Sequence, residues 1–434
     1  MRQTAASAFL AGGIVVVSAA CFGGHRPPPP PRPEPDRPTA PAHKVDVTTQ
    51  RGREAVLAAL IATVEKEGLT ADPGAAGALA RLGGERQRLA SLTGPTRFYD
   101  AINEILRDTG NPHLHLYRPG RDLFDTSSGK NWLVGATLRT VDGFHFVDDV
   151  WEGGPADEQG LKYGDELLAL DGRAPVLDPL PDGLHDVHLW VRRSRDAAPF
   201  LLDIDAVEGD TAWYLAEATR ASIRRIRRGN CTIGLIHLRT FADEDLIQEL
   251  TTGAQFDHTD GLIVDLRHNR GGEVRLAGEL FDLLSRQPSL WIHYHDTLYT
   301  FPPTSWNRPM VILVDENTFS SAEIFASAAQ VRRLATIIGT RTTGRVQASR
   351  VFPLPDGSRL MLPISRVSLP DGTDLEGRGV IPDQTVPRPL MYADGADPPL
   401  QAALDSLDQN LACPEALPPE RFPQEKIPPA GDVP

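Results

Sequence analysis

Pro309-Met310-Val311-Ile312-Leu313-Val314-Asp315-Glu316-Asn317-Thr318-Phe319-Ser320-Ser321-Ala322-Glu323-Ile324-Phe325-Ala326 is the stretch that decides the fold. A short apolar, β-branched run followed at once by an Ala-rich segment reads as a buried strand turning directly into a helix. Ser320 then stands at the helix entrance. The unpaired N–H groups and positive dipole end there would stabilise an oxyanion formed beside that serine. Ser320 and Glu323 also make an S-x-x-E capping box, so these residues alone fit either a plain helix cap or a nucleophile.

Working outward, the same alternation recurs. Cys231–Leu238, Gly261–Leu266 and Leu334–Ile338 are further apolar strands, separated by helical patterns at Asp243–Leu250, Val274–Leu284 and Ser321–Ala329. Strand-helix repetition predicts an α/β fold with a parallel sheet, and ligands of such sheets bind beyond the carboxyl ends of the strands. Ser320 falls at such an end. So does Arg267-His268-Asn269-Arg270-Gly271-Gly272, whose glycines let bare backbone approach a ligand. That run reads either as a second source of oxyanion donors, beside the N–H of Ser321, or as a tight turn before a helix.

Before this core, residues 130–207 read as a small β-rich unit: Trp132–Ala136 and Phe144–Val150 are strand-like, Gly153-Gly154-Pro155-Ala156 opens a short helix ending at Gly160-Leu161, and Lys162–Gly172 gives another strand and turn. The order G-x-P-A, G-L, G-D, apolar strand, D-G resembles a PDZ domain. That resemblance implies that Leu133, Val134, Gly135 and Ala136 form a loop whose backbone N–H groups cradle a peptide carboxylate. Upstream, Glu54–Val64 and Arg97–Leu106 are apolar-faced helices, and the second leads into Asn111-Pro112-His113-Leu114-His115. On an extended strand the two histidines would share a face. No cysteine, third histidine or acidic residue lies nearby at ligand spacing, which argues against a metal site.

The net charge of −14, from 44 Lys+Arg against 58 Asp+Glu, excludes nucleic acid as the main partner. The one basic run, Arg224–Arg228, reads as the capped end of a helix. Arg2, the apolar run Phe9–Ala20 and Cys21 have the order of an export signal, and the run is too short to span a bilayer. Ser18-Ala19-Ala20-Cys21 resembles a bacterial lipoprotein processing site with Cys21 as the lipidated residue; cleavage after Ala20 without lipidation is the alternative. The expected location is the cell envelope, on a membrane facing the periplasm or the exterior. Pro-rich sequence to about Lys44 would form a semi-rigid stalk, at about 3 Å per residue on the order of 60 Å long. Cys231 and Cys413 could pair in an oxidising compartment, but Cys231 opens an apolar strand and is expected to be a buried free thiol.

Taken together, N-P-H, the PDZ-like unit, D-L-R-x-N-x-G-G, T-F-S-S-A-E and Leu375-Glu376-Gly377-x-Gly379-Val380-x-Pro382-Asp383 resemble the C-terminal processing (tail-specific) serine peptidases and their tricorn-like relatives, peptidase family S41, over roughly residues 96–405. The resemblance implies Ser320 as nucleophile and Gly271 or Gly272 as oxyanion donors. The tail-specific branch uses a lysine base in a G-x-x-T-x-G-K segment; here Gly339–Arg345 ends in Arg345, which cannot deprotonate at usable pH. The tricorn-like branch implies instead a Ser320, His113, Glu376 triad, with Asn111 where its D-x-H motif has Asp. His115 is then a structural residue.

The expected domains are a leader at 1–20, a Pro-rich linker at 21–45, a helical region at 46–120, a PDZ-like domain at 128–207, a peptidase core with ClpP/crotonase-like layering at 208–397, and a short helix with a disordered Pro-rich tail at 398–434. The expected function is an exported serine endopeptidase acting on polypeptides without a cofactor. An inactive peptide-binding scaffold is the alternative that the missing lysine raises. An acyl-CoA hydratase-like enzyme shares the layering but has no use for Ser320 or a PDZ unit.

Overall fold

The central sheet is built from strands that are apolar on both sides, because both of its faces are covered. Its order is Gln384–Thr385, Thr336–Gly339, Met310–Val314, Gly261–Asp265, Cys231–His237, Arg224–Arg228, parallel throughout except for the last pair. Leu262, Val264, Met310, Ile312 and Val314 pack with residues of helices Glu244–Thr251, Val274–Leu284 and Ser321–Val331. The alternate residues Ile233, Leu235, Ile263, Val311 and Leu313 pack on helix Pro398–Leu411. Strand residues point alternately to the two faces, so this split is what a two-sided core requires, and each fully buried Leu, Ile or Val contributes about 1.5–3 kcal/mol. This computed structural model describes residues 45–68, 73–111, 113–119, 131–173, 175, 186–252, 254–284, 292–294, 297–299, 306–365 and 374–411. The expected leader, Cys21, the stalk, Pro112, Cys413 and the Pro-rich tail lie outside them.

Two expectations are corrected here. Arg224–Arg228 is not a helix end but an antiparallel edge strand, with Ile226 turned to the core and Arg228 paired to Asp405 at 3.1 Å and Asp408 at 2.6 Å on the C-terminal helix. Arginines on a sheet edge discourage further strand addition, a role that a charge run conceals in the sequence. Cys231 is disulfide-bonded rather than a free thiol, and its partner lies outside the described residues. An apolar neighbourhood reports burial, not redox state.

A second layer joins distant parts of the chain. Helices Gln50–Glu67, Pro73–Gly84, Arg86–Ser91 and Pro95–Arg107 share one core with a three-stranded antiparallel sheet of order His115–Tyr117, Arg359–Ser365, Ala348–Pro353. Leu57, Leu60, Phe98 and Ile102 bury against Leu116, Leu360 and Leu362. The hairpin 348–365 thus leaves the central sheet and packs under the N-terminal helices, carrying its first residues to the vicinity of His113.

The third unit is a five-stranded antiparallel sheet, Ala136–Val141, Phe144–Val150, Glu166–Leu170, Asp186–Arg192 and Phe200–Asp205 in that order. Arg239, just after a central strand and almost fully buried, fastens it to the core. Its guanidinium donates to Asp149 Oδ2 at 2.7 Å, Glu152 Oε2 at 2.7 Å and the Val150 carbonyl at 2.6 Å. Burial opposes ionisation of Glu152, but the charges of His237 and Arg239 outweigh it and hold that carboxyl down at about 2. The stabilisation this gives is complete above the ordinary carboxylate range and is lost as pH falls through that lowered value.

Candidate active site

Ser320 has φ 61° and ψ −131°, a backbone conformation rare for any residue with a side chain. The surroundings hold it there. Its N–H donates to the Arg345 carbonyl at 2.8 Å and, more weakly, to Glu323 Oε2 at 3.2 Å, the carboxylate half of the predicted capping box. Glu323 is fully buried and also accepts from Thr342 Oγ1, from Gly344 N at 2.7 Å and from Arg345 N at 2.8 Å. Burial raises its pKa, a shift these bonds only partly oppose. Glu323 therefore clamps segment 342–345 against the nucleophile candidate, a role beyond helix capping.

Gly271 lies directly against Ser320. A Cβ on it would sit 2.6 Å from Ser320 Cβ and 3.0 Å from both Ser320 Oγ and Ser321 N, and its φ of 85° independently selects glycine. The Gly271 N–H is engaged by Asn269 Oδ1 at 2.7 Å, while Asn269 Nδ2 donates to the Leu238 carbonyl at 2.7 Å. Among the described residues the N–H groups of Gly272 and Ser321 have no acceptor. Ser320 is partly exposed, whereas Ser321 is wholly buried and its Oγ has no partner among the described residues.

His113 sits in a turn ahead of the strand that begins at His115, so the two histidines do not share one extended strand. The His115 ring packs edge-on against Tyr117, with centroids 4.6 Å apart. Asn111 Oδ1 accepts the His113 N–H at 2.8 Å, an Asx turn that an aspartate oxygen would form equally well, so the N-P-H departure leaves this role intact. The His113 ring is buried. Among the described residues its Nε2 lies within normal hydrogen-bond distance of no partner, and it faces Glu376 Oε1 at 3.6 Å, an electrostatic contact longer than a hydrogen bond. Glu376 Oε2 accepts from Val346 N and Gln347 N, each at 2.9 Å. Burial works against the Glu376 charge, but the neighbouring imidazole and these amides prevail and lower its pKa.

One continuous segment therefore ties the pieces together: residues 342–345 grip Ser320 and Glu323, and residues 346 and 347 grip Glu376. His113 and Ser320 make no hydrogen bond with each other among the described residues. No cluster of metal-ligating side chains is present among those residues.

Residues 232–386 match the model of peptidase family S41. The chain is an S41-like serine-type peptidase. The carboxyl-terminal-processing protease of Picosynechococcus sp. is 27% identical over 346 residues, covering 72% of this chain and 80% of the relative. The protein of the same name from Synechocystis sp. is 26% identical over 335 residues, with 72% and 78% coverage. Among solved structures, the photosystem II D1 C-terminal processing protease superposes with a TM-score of 0.55 at 20% identity, over 83% of this chain and 98% of that one. The tricorn protease gives 0.50 at 20% identity, over 83% of this chain and 37% of its own. These structures share the fold.

In this S41-like peptidase three contributors escaped the sequence reading: Asn269, which occupies the Gly271 amide; Gln347, one of the amides on Glu376; and Ser349, whose Oγ lies 3.1 Å from His113 Nδ1. Asn269 stands inside D-L-R-x-N-x-G-G and was open to being read as a turn side chain. Nothing local marks Ser349, which reaches His113 across 236 positions.

Proposed function

We propose that this S41-like peptidase is an exported serine endopeptidase that cuts polypeptides through Ser320, His113 and Glu376. The observation that carries the reading is Ser320 itself, held at positive φ on a strand-to-helix junction with Gly271 pressed against it and two unengaged amides alongside. In the reaction Ser320 Oγ bonds to the substrate carbonyl carbon as its proton passes to His113 Nε2. The N–H groups of Gly272 and Ser321 stabilise the oxyanion, with Gly271 providing the close approach. Collapse expels the amine, which takes the proton from His113, and water hydrolyses the acyl-serine by the same route reversed. Glu376 stabilises the imidazolium that exists between these steps. No cofactor takes part. Incubating the purified full chain with an unfolded polypeptide, and mapping the new termini by mass spectrometry, tests this. Internal cuts support an endopeptidase, and an intact substrate contradicts it.

The unit 136–205, we propose, is a PDZ-like reader of substrate carboxyl termini. The carbonyls of Val134 and Gly135 are taken by Ala156 N at 2.9 Å and Trp151 N at 2.8 Å, while the Val134 and Gly135 N–H groups have no acceptor among the described residues. Strand Ala136–Val141 is also an open sheet edge among those residues, suited to an added peptide strand. Leu133 and Ala136 flank this loop. Peptides with a free apolar carboxyl terminus are expected to bind at least about tenfold more tightly than amidated copies, since a charged acceptor roughly doubles hydrogen-bond strength. Equal affinities measured by calorimetry would reduce the unit to a spacer.

Export and anchoring rest on the leader-like start and Cys21. The mature protein is expected to fractionate with membranes, and Cys21→Ser to release it or block its processing. Soluble behaviour of the unaltered mature protein would remove the lipid anchor from this account.

A further inference from the structure

We infer that His237, in its doubly protonated form, is a positioning residue whose one ring holds the β-rich unit 136–205 to the loop 267–272 that lies against Ser320. This rests on the reading of Gly272 in that loop as an oxyanion donor. His237 ends strand Cys231–His237, and its ring is buried. Its Nδ1 lies 2.9 Å from Glu152 Oε1, and its Nε2 lies 2.9 Å from the Arg267 carbonyl. A carbonyl oxygen only accepts, and so does Glu152, which is an ionised carboxylate. Either neutral tautomer would therefore set a buried lone pair against one of the two oxygens. The imidazolium donates to both.

The residues after His237 form the bed of the same loop. Asn269 Nδ2 donates to the Leu238 carbonyl at 2.7 Å, and Phe241 N donates to the Gly271 carbonyl at 3.0 Å. Arg239, between them, reaches the other way, onto Asp149 and Glu152. Segment 237–241 thus carries the loop on one side and the β-rich unit on the other. Its backbone contacts do not titrate and Arg239 stays charged, so His237 is the link in this segment that a proton makes or breaks. The charged groups round the ring are Glu152 and Asp149 of the β-rich unit, with His268 beyond Asp149, Arg239 of its own segment, and Asp265 of the neighbouring strand with Arg267 bonded to it. Helix Thr211–Ser222 presents the uncharged Ser222 hydroxyl, which accepts the His237 N–H at 2.8 Å. Burial and the Arg239 charge oppose the imidazolium, but Asp265 and Glu152 prevail and raise its pKa above the ordinary histidine value. The coupling is therefore complete below that ordinary value and is lost as pH rises through the raised one.

Hydrogen exchange of the full-length protein, read by mass spectrometry at a series of pH values and corrected for intrinsic rates, tests this. In the wild type the amides of 147–157 and of 266–273 should be protected together at neutral pH. Both should lose about tenfold or more of that protection, with one midpoint, as pH rises above the ordinary histidine range. Glu152→Gln removes the charge facing Nδ1 and should move that midpoint down by about one pH unit or more, a shift that a merely structural contact would not produce. His237→Gln should show the weaker protection at every pH and lower kcat by about tenfold with KM little changed. Wild-type protection that is flat across this range, or a midpoint unmoved in Glu152→Gln, overturns the inference. If protection behaves as expected but His237→Gln keeps its kcat, the coupling stands and the reading of Gly272 as an oxyanion donor falls.

Discussion

Ser320→Ala is expected to lower polypeptide cleavage by about 10⁴-fold or more, because losing a nucleophile leaves only binding and oxyanion stabilisation. The comparison that gives this force is Ser321→Ala. The two serines are adjacent and both sit within the same motif, but Ser321 is wholly buried with no partner for its Oγ among the described residues, whereas Ser320 is partly exposed and presses against Gly271. Removing a buried hydroxyl that has no partner is close to neutral for stability, so Ser321→Ala should keep most of the activity. Neither variant should shift the unfolding free energy by more than about 1 kcal/mol. Equal losses in the two variants at matched folding would overturn the assignment.

His113→Ala should remove nearly all activity and with it the pH dependence. A histidine base must be neutral to accept the serine proton, so the wild-type rate should rise with pH through a single ionisation in the range where histidines titrate. Glu376 adds no second limb there. Its pKa is lowered from the ordinary carboxylate value by the imidazole and two backbone amides, against the opposing effect of burial, so it stays ionised across that range. Its contribution is therefore present at neutrality and is lost on acidification through the lowered value. Glu376→Gln keeps the amide contacts but deletes the charge facing Nε2, and a loss in kcat of about 10²-fold or more is expected with the fold retained. An active His113→Ala, or an inactive His115→Ala, measured by initial rates across pH, would show that the triad is wrongly composed.

The central sheet was legible because its strands are buried on both faces and so announce themselves as unbroken apolar runs. Cys231–His237, Gly261–Asp265 and Met310–Val314 fall where those runs lie. Arg224–Arg228 was not legible: its strand character rests on one inward residue, Ile226, and on acidic partners in a helix near the far end of the chain. The hairpin 348–365 escaped for a related reason. Its hydrophobic partners are the N-terminal helices, a long-range pairing to which no local periodicity points. The candidate site divides in the same way. Ser320, Gly271 and Glu376 stand in motifs whose glycines and helix signals carry local physical meaning. Their mutual support does not: the grip of Glu323 on Gly344 and Arg345, and of Glu376 on Val346 and Gln347, depends on a segment threading between two motifs. Ser349, whose Oγ lies 3.1 Å from His113 Nδ1, was out of reach for the same reason.

The central claim is that Ser320 is an activated nucleophile, and a fluorophosphonate probe with peptide mapping tests it most directly. The folded full-length protein should form a single covalent adduct on Ser320, with none in Ser320→Ala and much slower labelling in His113→Ala. A folded protein that stays unlabelled at Ser320, or that carries the adduct on Ser321, would contradict the account.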